Sequence, residues 1–184
     1  MTKDDREPAI KQVATKIAYQ TPYITIREDE IERHDGSKGI YSVIDKPDFA
    51  LVIPQEADGY WLVEQYRYPV QARSWEFPQG TFSHGVEGTP EELARAELRE
   101  ETGLSAAKLE HLGFLHCAKG ISSQGFHIFL ASELEHGDPD REIEEQDMVQ
   151  KWFSRAEVEE MIRTCEITDD SSIAAYGLLM LHRL

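Results

Sequence analysis

The sequence predicts a mixed α/β fold: a strand-rich amino-terminal region followed by a larger domain that interleaves strands with helices. Three observations carry this expectation. Residues 10–70 read as short apolar or alternating runs separated by turn residues, the period becomes helical after Thr89, and strand-like runs then return before two closing helices. With 184 residues and no repeat or low-complexity tract, the chain suits one domain, or one domain with an appendage. At about 150 residues a chain already hides roughly two-thirds of its unfolded surface, so folding needs neither disulfides nor a structural metal.

In order along the chain, ITIREDEIE (24–32) and IYSVID (40–45) flank the turn HDGSKG, and FALVIP (49–54) and YWLVEQYRY (60–68) flank the turn EADG. Two hairpins follow. Ile24/Ile26 and Tyr41/Val43 alternate as half-buried strands do, whereas residues 49–53 are continuously apolar and suit a buried strand. Thr89 is a helix N-cap, Pro90 suits the first helical position, Glu92 completes a capping box and Gly103 ends the helix, which runs from about Pro90 to Thr102. LEHLGFLHCA, GFHIFLAS and MVQKWF read as strands. Ser154 with Glu157 caps a further helix, and an apolar helix starts at about Ser171. Residues 1–45 form an amino-terminal β region and residues 46–184 the main domain.

Asp and Glu number 35 against 19 Lys and Arg, a net charge of −16. Such a chain lacks the cationic surface that drives duplex binding, and anionic membranes repel it for the same reason. The first residues, MTKDDREPAIKQ, hold no apolar leader, and no run approaches the ~18 apolar residues of a membrane span. A cytoplasmic protein with no nucleic-acid or membrane partner is expected. Cys117 and Cys165 stand outside any disulfide or metal spacing and read as reduced, buried core residues.

The predicted helix at 90–102 carries the chemistry. Glu97, Glu100 and Glu101 stand at i, i+3 and i+4 and so share one face with Leu93, Ala94 and Ala96, while Arg95 and Arg99 point away. Carboxylates on a core-facing stripe repel one another unless a cation compensates them, and oxygen ligands favour Mg²⁺ or Mn²⁺ over Zn²⁺. A solvated acidic stripe is the bland alternative. His84, His116 and His127 lack ligand spacing. Ser122, Ser123 and Ser171 lack triad partners.

Residues 80–104, GTFSHGVEGTPEELARAELREETGL, resemble the Nudix box, G-x5-E-x7-R-E-U-x-E-E-x-G-U with U aliphatic. Glu97, Leu98, Glu100, Glu101, Gly103 and Leu104 match it. Ala96 stands where the family has Arg, and the stretch from Gly80 is two residues longer than the pattern, so Glu87 is only an approximate counterpart of the isolated box Glu. The likeness extends to WLVEQYRYPV, WEFPQG, WFSRAEVEEMI and ITDDSSIAAYGLL, which are similar to the ADP-ribose pyrophosphatase branch.

The resemblance implies a Nudix-type α/β/α sandwich around a mixed sheet, preceded by a β-strand region used for homodimer formation by exchange. It implies Mg²⁺ (or Mn²⁺) held by Glu97, Glu101 and the carbonyl of Gln79, with Glu100 sharing the cluster. Arg67 would grip a substrate phosphate, against the alternative of an ion pair with Glu64 or Glu76, and Glu76 is either that structural partner or a ribose contact. Residues 137–147, GDPDREIEEQD, read as a loop, on which a Glu of this branch binds a second metal or takes a proton from water; Glu144 and Glu145 lead, with Glu142 behind them. The implied reaction splits the pyrophosphate of a nucleoside diphosphate linked to a sugar, foremost ADP-ribose to AMP and ribose 5-phosphate. GDP-mannose, another nucleotide sugar, a dinucleotide, or a non-cleaving nucleotide sensor are the alternatives.

Overall fold

The computed structural model describes residues 7–82, 85–141 and 145–183. Glu142, Glu144 and His84 therefore lie outside the described residues. The chain forms two compact units, residues 1–47 with 116–124, and residues 48–115 with 125–184.

The first unit is a three-stranded antiparallel sheet of β1 (Ile10–Gln20), β2 (Thr25–Arg33) and β3 (Lys38–Asp45), with β2 in the middle. The turn at 34–37 closes β2 onto β3, with Gly36 at a φ of 78°. The segment 116–124 joins β3 through Ile44 N–H donating to the Ile121 carbonyl at 2.8 Å and the Tyr41 hydroxyl donating to the Gly120 carbonyl at 2.7 Å. Strand β1 adds to the hairpins expected from the sequence. Its register shifts twice, and every one of its residues is exposed, which leaves no apolar period to announce it.

The second unit holds β4 (Phe49–Glu56), β5 (Gly59–Arg67), β6 (Ala72–Glu76), β7 (Gln79–Gly80), α1 (Pro90–Thr102), β8 (Leu104–His116), β9 (Gly125–His136), β10 (Val149–Ser154), α2 (Arg155–Arg163) and α3 (Asp170–His182). Its mixed sheet runs β10-β5-β4-β9-β8, with β6 on β5 and β7 on β4. The β4–β9 pair is parallel, and β4 and β5 form the expected antiparallel hairpin. Residues 50–53 are wholly buried because both faces of β4 are covered. Ala50 and Val52 pack with Leu93, Ala94 and Leu98 of α1, together with Leu104, Phe129 and Ala131. Strand alternation turns Leu51 and Ile53 to the opposite face. On that face lies Tyr60, whose ring meets Phe77 and Tyr176 of α3 edge-on at 6.1 and 5.8 Å. The α/β/α sandwich follows from this two-sided burial.

Helix α1 spans the predicted residues. Glu92 N–H donates to Thr89 Oγ1 at 3.2 Å, Thr89 N–H donates to Glu92 Oε2 at 2.7 Å, and Gly103 closes the helix at a φ of 70°. Helix α3 begins one residue before the expected Ser171, because the Asp169 carboxylate accepts from Ser172 N–H at 2.7 Å and so acts as the cap. The cysteines correct an expectation: Cys117 is half-buried and Cys165 is exposed. Cys165 takes a φ of 60° just past the end of α2, where the unwinding chain faces solvent. Among the described residues no helix is long and apolar enough to cross a membrane.

Candidate active site

Helix α1 presents Glu97 and Glu101 inward with Leu93, Ala94 and Leu98, while Glu100 sits at the edge of the buried stripe. Beside it is a cavity of about 460 Å³ lined by Arg67, Gln79, Gly80, Thr81, Phe82, Val86, Leu93, Ala96, Glu97, Glu100 and Glu145. Strand, helix and the turn before β10 thus bring together Arg67, Gln79, Glu97, Glu100 and Glu145 from among the residues singled out in the sequence. Glu101 lies behind them, 1 % exposed. Arg99 approaches Glu100 at 3.6 Å, so it does not stand wholly apart from the acidic face, whereas Arg95 pairs with Glu91 at 2.9 Å.

Burial, and then the charges of Glu97, Glu145 and Glu76, push the Glu101 carboxyl well above the ordinary carboxylate range, with Arg67 acting in the opposite direction. One Glu101 oxygen accepts from Gln79 N–H at 3.2 Å, which ties the start of β7 to the helix. A Cβ at Gly80 would stand 2.6 Å from both carboxylate oxygens of Glu97, so a side chain there would displace that carboxylate.

Arg67 and Glu76 are paired. The Arg67 guanidinium donates to both Glu76 oxygens, through Nε at 3.1 Å and through Nη2, and Gln65 Nε2 donates to Glu76 Oε1 at 2.8 Å. Burial pushes the Glu76 carboxyl up while Arg67 and Gln65 favour its charge. Burial likewise opposes the Arg67 charge, but Glu76, with Glu101 and Asp169, raises its pKa overall. Glu64 pairs instead with Arg73, at 2.7 Å. Arg67 stays partly exposed and lines the carboxylate cavity as well as a second one of about 290 Å³, bounded by Pro69, Val70, Ser74, Glu76, Thr168, Asp169 and Asp170.

Two positioning elements, the cap of α3 and Arg141, have no counterpart in the sequence analysis. Gln79 Nε2 donates to Asp169 Oδ2 at 3.1 Å, and Phe77 N–H donates to Ser172 Oγ at 2.9 Å, so the cap of α3 holds the turn between β6 and β7. Asp169 was legible as a helix cap in TDDSS, but nothing local announces its second partner, 90 residues away. Arg141 is the other, a lone cation within an acidic loop.

The donor set fits a hard divalent cation: oxygen ligands only, with a buried carboxylate on which Glu97, Glu145 and Glu76 act against Arg67. Among the described residues no three His, Cys, Asp or Glu side chains already converge on a single ligating point.

The geometry defines an α/β/α sandwich with a carboxylate-lined cavity beside α1, and the comparisons give its family. The Nudix domain model matches residues 45–174, and the model of the nucleoside diphosphate sugar hydrolase N-terminal domain matches residues 10–44. The chain belongs to the Nudix family of hydrolases. It is 30 % identical over 179 residues to an ADP-ribose pyrophosphatase of Mycobacterium tuberculosis, covering 96 % of this chain and 84 % of that one. An ADP-ribose pyrophosphatase of Bacillus subtilis is 28 % identical over 141 residues, covering 76 % and 75 %. In fold it matches the crystal structure of an ADP compounds hydrolase with a TM-score of 0.83, over 96 % and 95 % of the two chains, at 18 % identity.

Proposed function

We propose that the protein hydrolyses the pyrophosphate bond of a nucleoside diphosphate linked to a sugar, with ADP-ribose as substrate and AMP and ribose 5-phosphate as products, and that Mg²⁺ is its ion. The observation that carries this reading is the 460 Å³ cavity in which Arg67 faces the carboxylates of Glu97, Glu100 and Glu145. The likeness to two ADP-ribose pyrophosphatases supports the choice of substrate.

In this reading Glu97, Glu101 and the Gln79 carbonyl hold the ion, and Glu100 shares the cluster. When bound, the ion supplies positive charge to the diphosphate oxygens and makes the attacking water more acidic. Glu145 accepts the proton of that water; Glu144 is the other carboxylate proposed for this role. Arg67, oriented by Glu76, grips a phosphate with a forked guanidinium, and Phe82 and Val86 help exclude bulk water. The reading places the protein in the cytoplasm.

The same reading makes the protein a homodimer through its amino-terminal sheet. Support comes from the exposure of Val13, Ile17, Tyr19 and Ile40 on that sheet, with Ile17 62 % exposed. Ile17→Glu should lower the mass seen by light scattering.

A panel of ADP-ribose, GDP-mannose, other nucleotide sugars and dinucleotides, each with Mg²⁺ and with excess chelator, tests the function. AMP released from ADP-ribose only with metal is the expected result. Full activity in chelator would overturn the metal's role, and preference for another compound would replace ADP-ribose.

A further inference from the structure

The carboxyl end of α1 is held by a segment that sequence reading treats as loop. Gly137 N–H donates to the Gly103 carbonyl at 2.9 Å, and Asp140 N–H donates to the Glu100 carbonyl at 3.0 Å. The Arg141 guanidinium then donates through Nε to the Glu101 carbonyl at 3.1 Å, through Nη1 to the Met148 carbonyl, and through Nη2 to Gln150 Oε1 at 3.3 Å. The last carbonyls of a helix have no intrahelical donor, so these contacts satisfy orphan acceptors and set a cation at the negative helix end. The approach is close: a Cβ on Gly103 would meet the Gly137 carbonyl oxygen at 2.4 Å.

A cap alone would need only the bond to Glu101. Arg141 also grips Met148 and Gln150, beyond the far end of the segment that carries Glu145, so one side chain fixes both flanks of that segment to the helix bearing Glu97, Glu100 and Glu101. A tie across its ends lowers the chain entropy of a short loop. Within that span Glu145 reaches the cavity wall shared with Glu97 and Glu100.

We propose that Arg141 is a positioning residue, which clamps both flanks of the Glu145 segment to the end of α1 and thereby sets Glu145 against the carboxylates of the cavity. This rests on the reading of that cavity as a hydrolytic site. Only a planar fork with several fixed donors meets three acceptors on two segments, so Lys is a poor substitute.

The test compares full-length wild type with Arg141→Gln, Arg141→Lys, Glu145→Gln and the Arg141→Gln/Glu145→Gln double variant, each checked for melting temperature. Without substrate, amide exchange by mass spectrometry should quicken over residues 145–150 in Arg141→Gln while the interior of α1 stays protected. Unchanged exchange there would overturn the inference whatever the substrate proves to be. Turnover is then measured on the panel compound that the wild type splits best, so a wrong choice of ADP-ribose leaves the cycle intact. Arg141→Gln should lower kcat roughly 10-fold to 10²-fold with little change in KM. The double variant should be no slower than Glu145→Gln, and Arg141→Lys should recover part of the loss. Losses that multiply in the double variant would make Arg141 a structural clamp independent of Glu145 and overturn the proposal. If Arg141→Gln fails to fold, the same cycle with Arg141→Lys decides. A wild type that splits no panel compound overturns the proposed function, and the exchange experiment still decides the clamp.

Discussion

The three-stranded sheet and the central sheet of the second unit distribute similar side chains in opposite ways. In β1–β3 the apolar Val13, Ile17, Tyr19 and Ile40 face solvent, while Asp29 is buried and held by Arg27, which also reaches Asp45 at 2.7 Å. In the second unit residues 50–53 are wholly buried, and the charged groups that share this interior, Glu76, Glu97 and Glu101, lie along or just behind the cavity walls. The difference locates the source of stability. A sheet that buries Ile31 but leaves most of its large apolar side chains outside depends more on cross-strand and ion pairs worth a few tenths to about 1 kcal/mol each. A dense core contributes several times that per side chain, enough to hold buried carboxylates in an unfavourable arrangement.

The strongest way to break this comparison is truncation on each side of it. Leu98→Ala removes a buried side chain from the cluster between α1 and β4, and denaturant titration should show a loss of about 2–5 kcal/mol. Ile17→Ala, on the exposed sheet, should stay within about 0.5 kcal/mol under conditions where the protein is monomeric. Equal losses would contradict the contrast.

Next in size is the effect of the buried charge. Glu101→Gln should cut turnover by roughly 10² or more while the melting temperature is unchanged or higher, since the substitution relieves repulsion from Glu97, Glu145 and Glu76. A stability loss in step with the activity loss would mean that Glu101 serves the fold.

A smaller effect is expected at the helix start. Thr89→Ala removes the side-chain acceptor of the capping box and should cost about 1 kcal/mol by thermal or chemical unfolding, with kcat nearly intact. The carboxylates sit two turns further on and are fixed by packing, so a large fall in kcat would show that the cap positions them.

The smallest effect concerns pH. A hydrogen bond from His136, then one from Trp61, holds the Glu56 carboxyl below its ordinary 4.5. A carboxyl depressed in the folded state adds stability that is complete above its unfolded value and is lost as pH falls through the folded one. Unfolding free energy should therefore decline below about pH 4.5, and His136→Ala should flatten that decline slightly, because the pair is well exposed to solvent. Identical slopes for the two proteins would remove His136 as the cause.

Much of the main domain was legible because its signals are local. Thr89, Pro90, Glu92 and Gly103 specify both ends of α1 within 15 residues, and the 3.6-residue period alone places Glu97 and Glu101 on the buried side. The apolar run at 49–53 marked the central strand for the same reason. Strand β1 was not legible: eleven exposed residues with two register shifts carry no period, and only pairing with β2 makes them a strand. The habits of its residue type put Cys165 in the interior, whereas its place past the end of α2 puts it in solvent.

By itself the sequence determined the mixed α/β class, the bounds of α1, the carboxylate face and the Nudix likeness, because each depends on residues a few positions apart whose geometry the backbone fixes. Tertiary structure alone decided that Glu76 holds Arg67, that Asp169 reaches Gln79, and that Arg141 joins the end of α1 to Met148 and Gln150. Those contacts join residues from 7 to 90 positions apart in the chain. Forked and carboxylate side chains accept many partners of suitable charge. Which partner each one meets depends on the distance and burial that the folded chain imposes, and no local pattern encodes either.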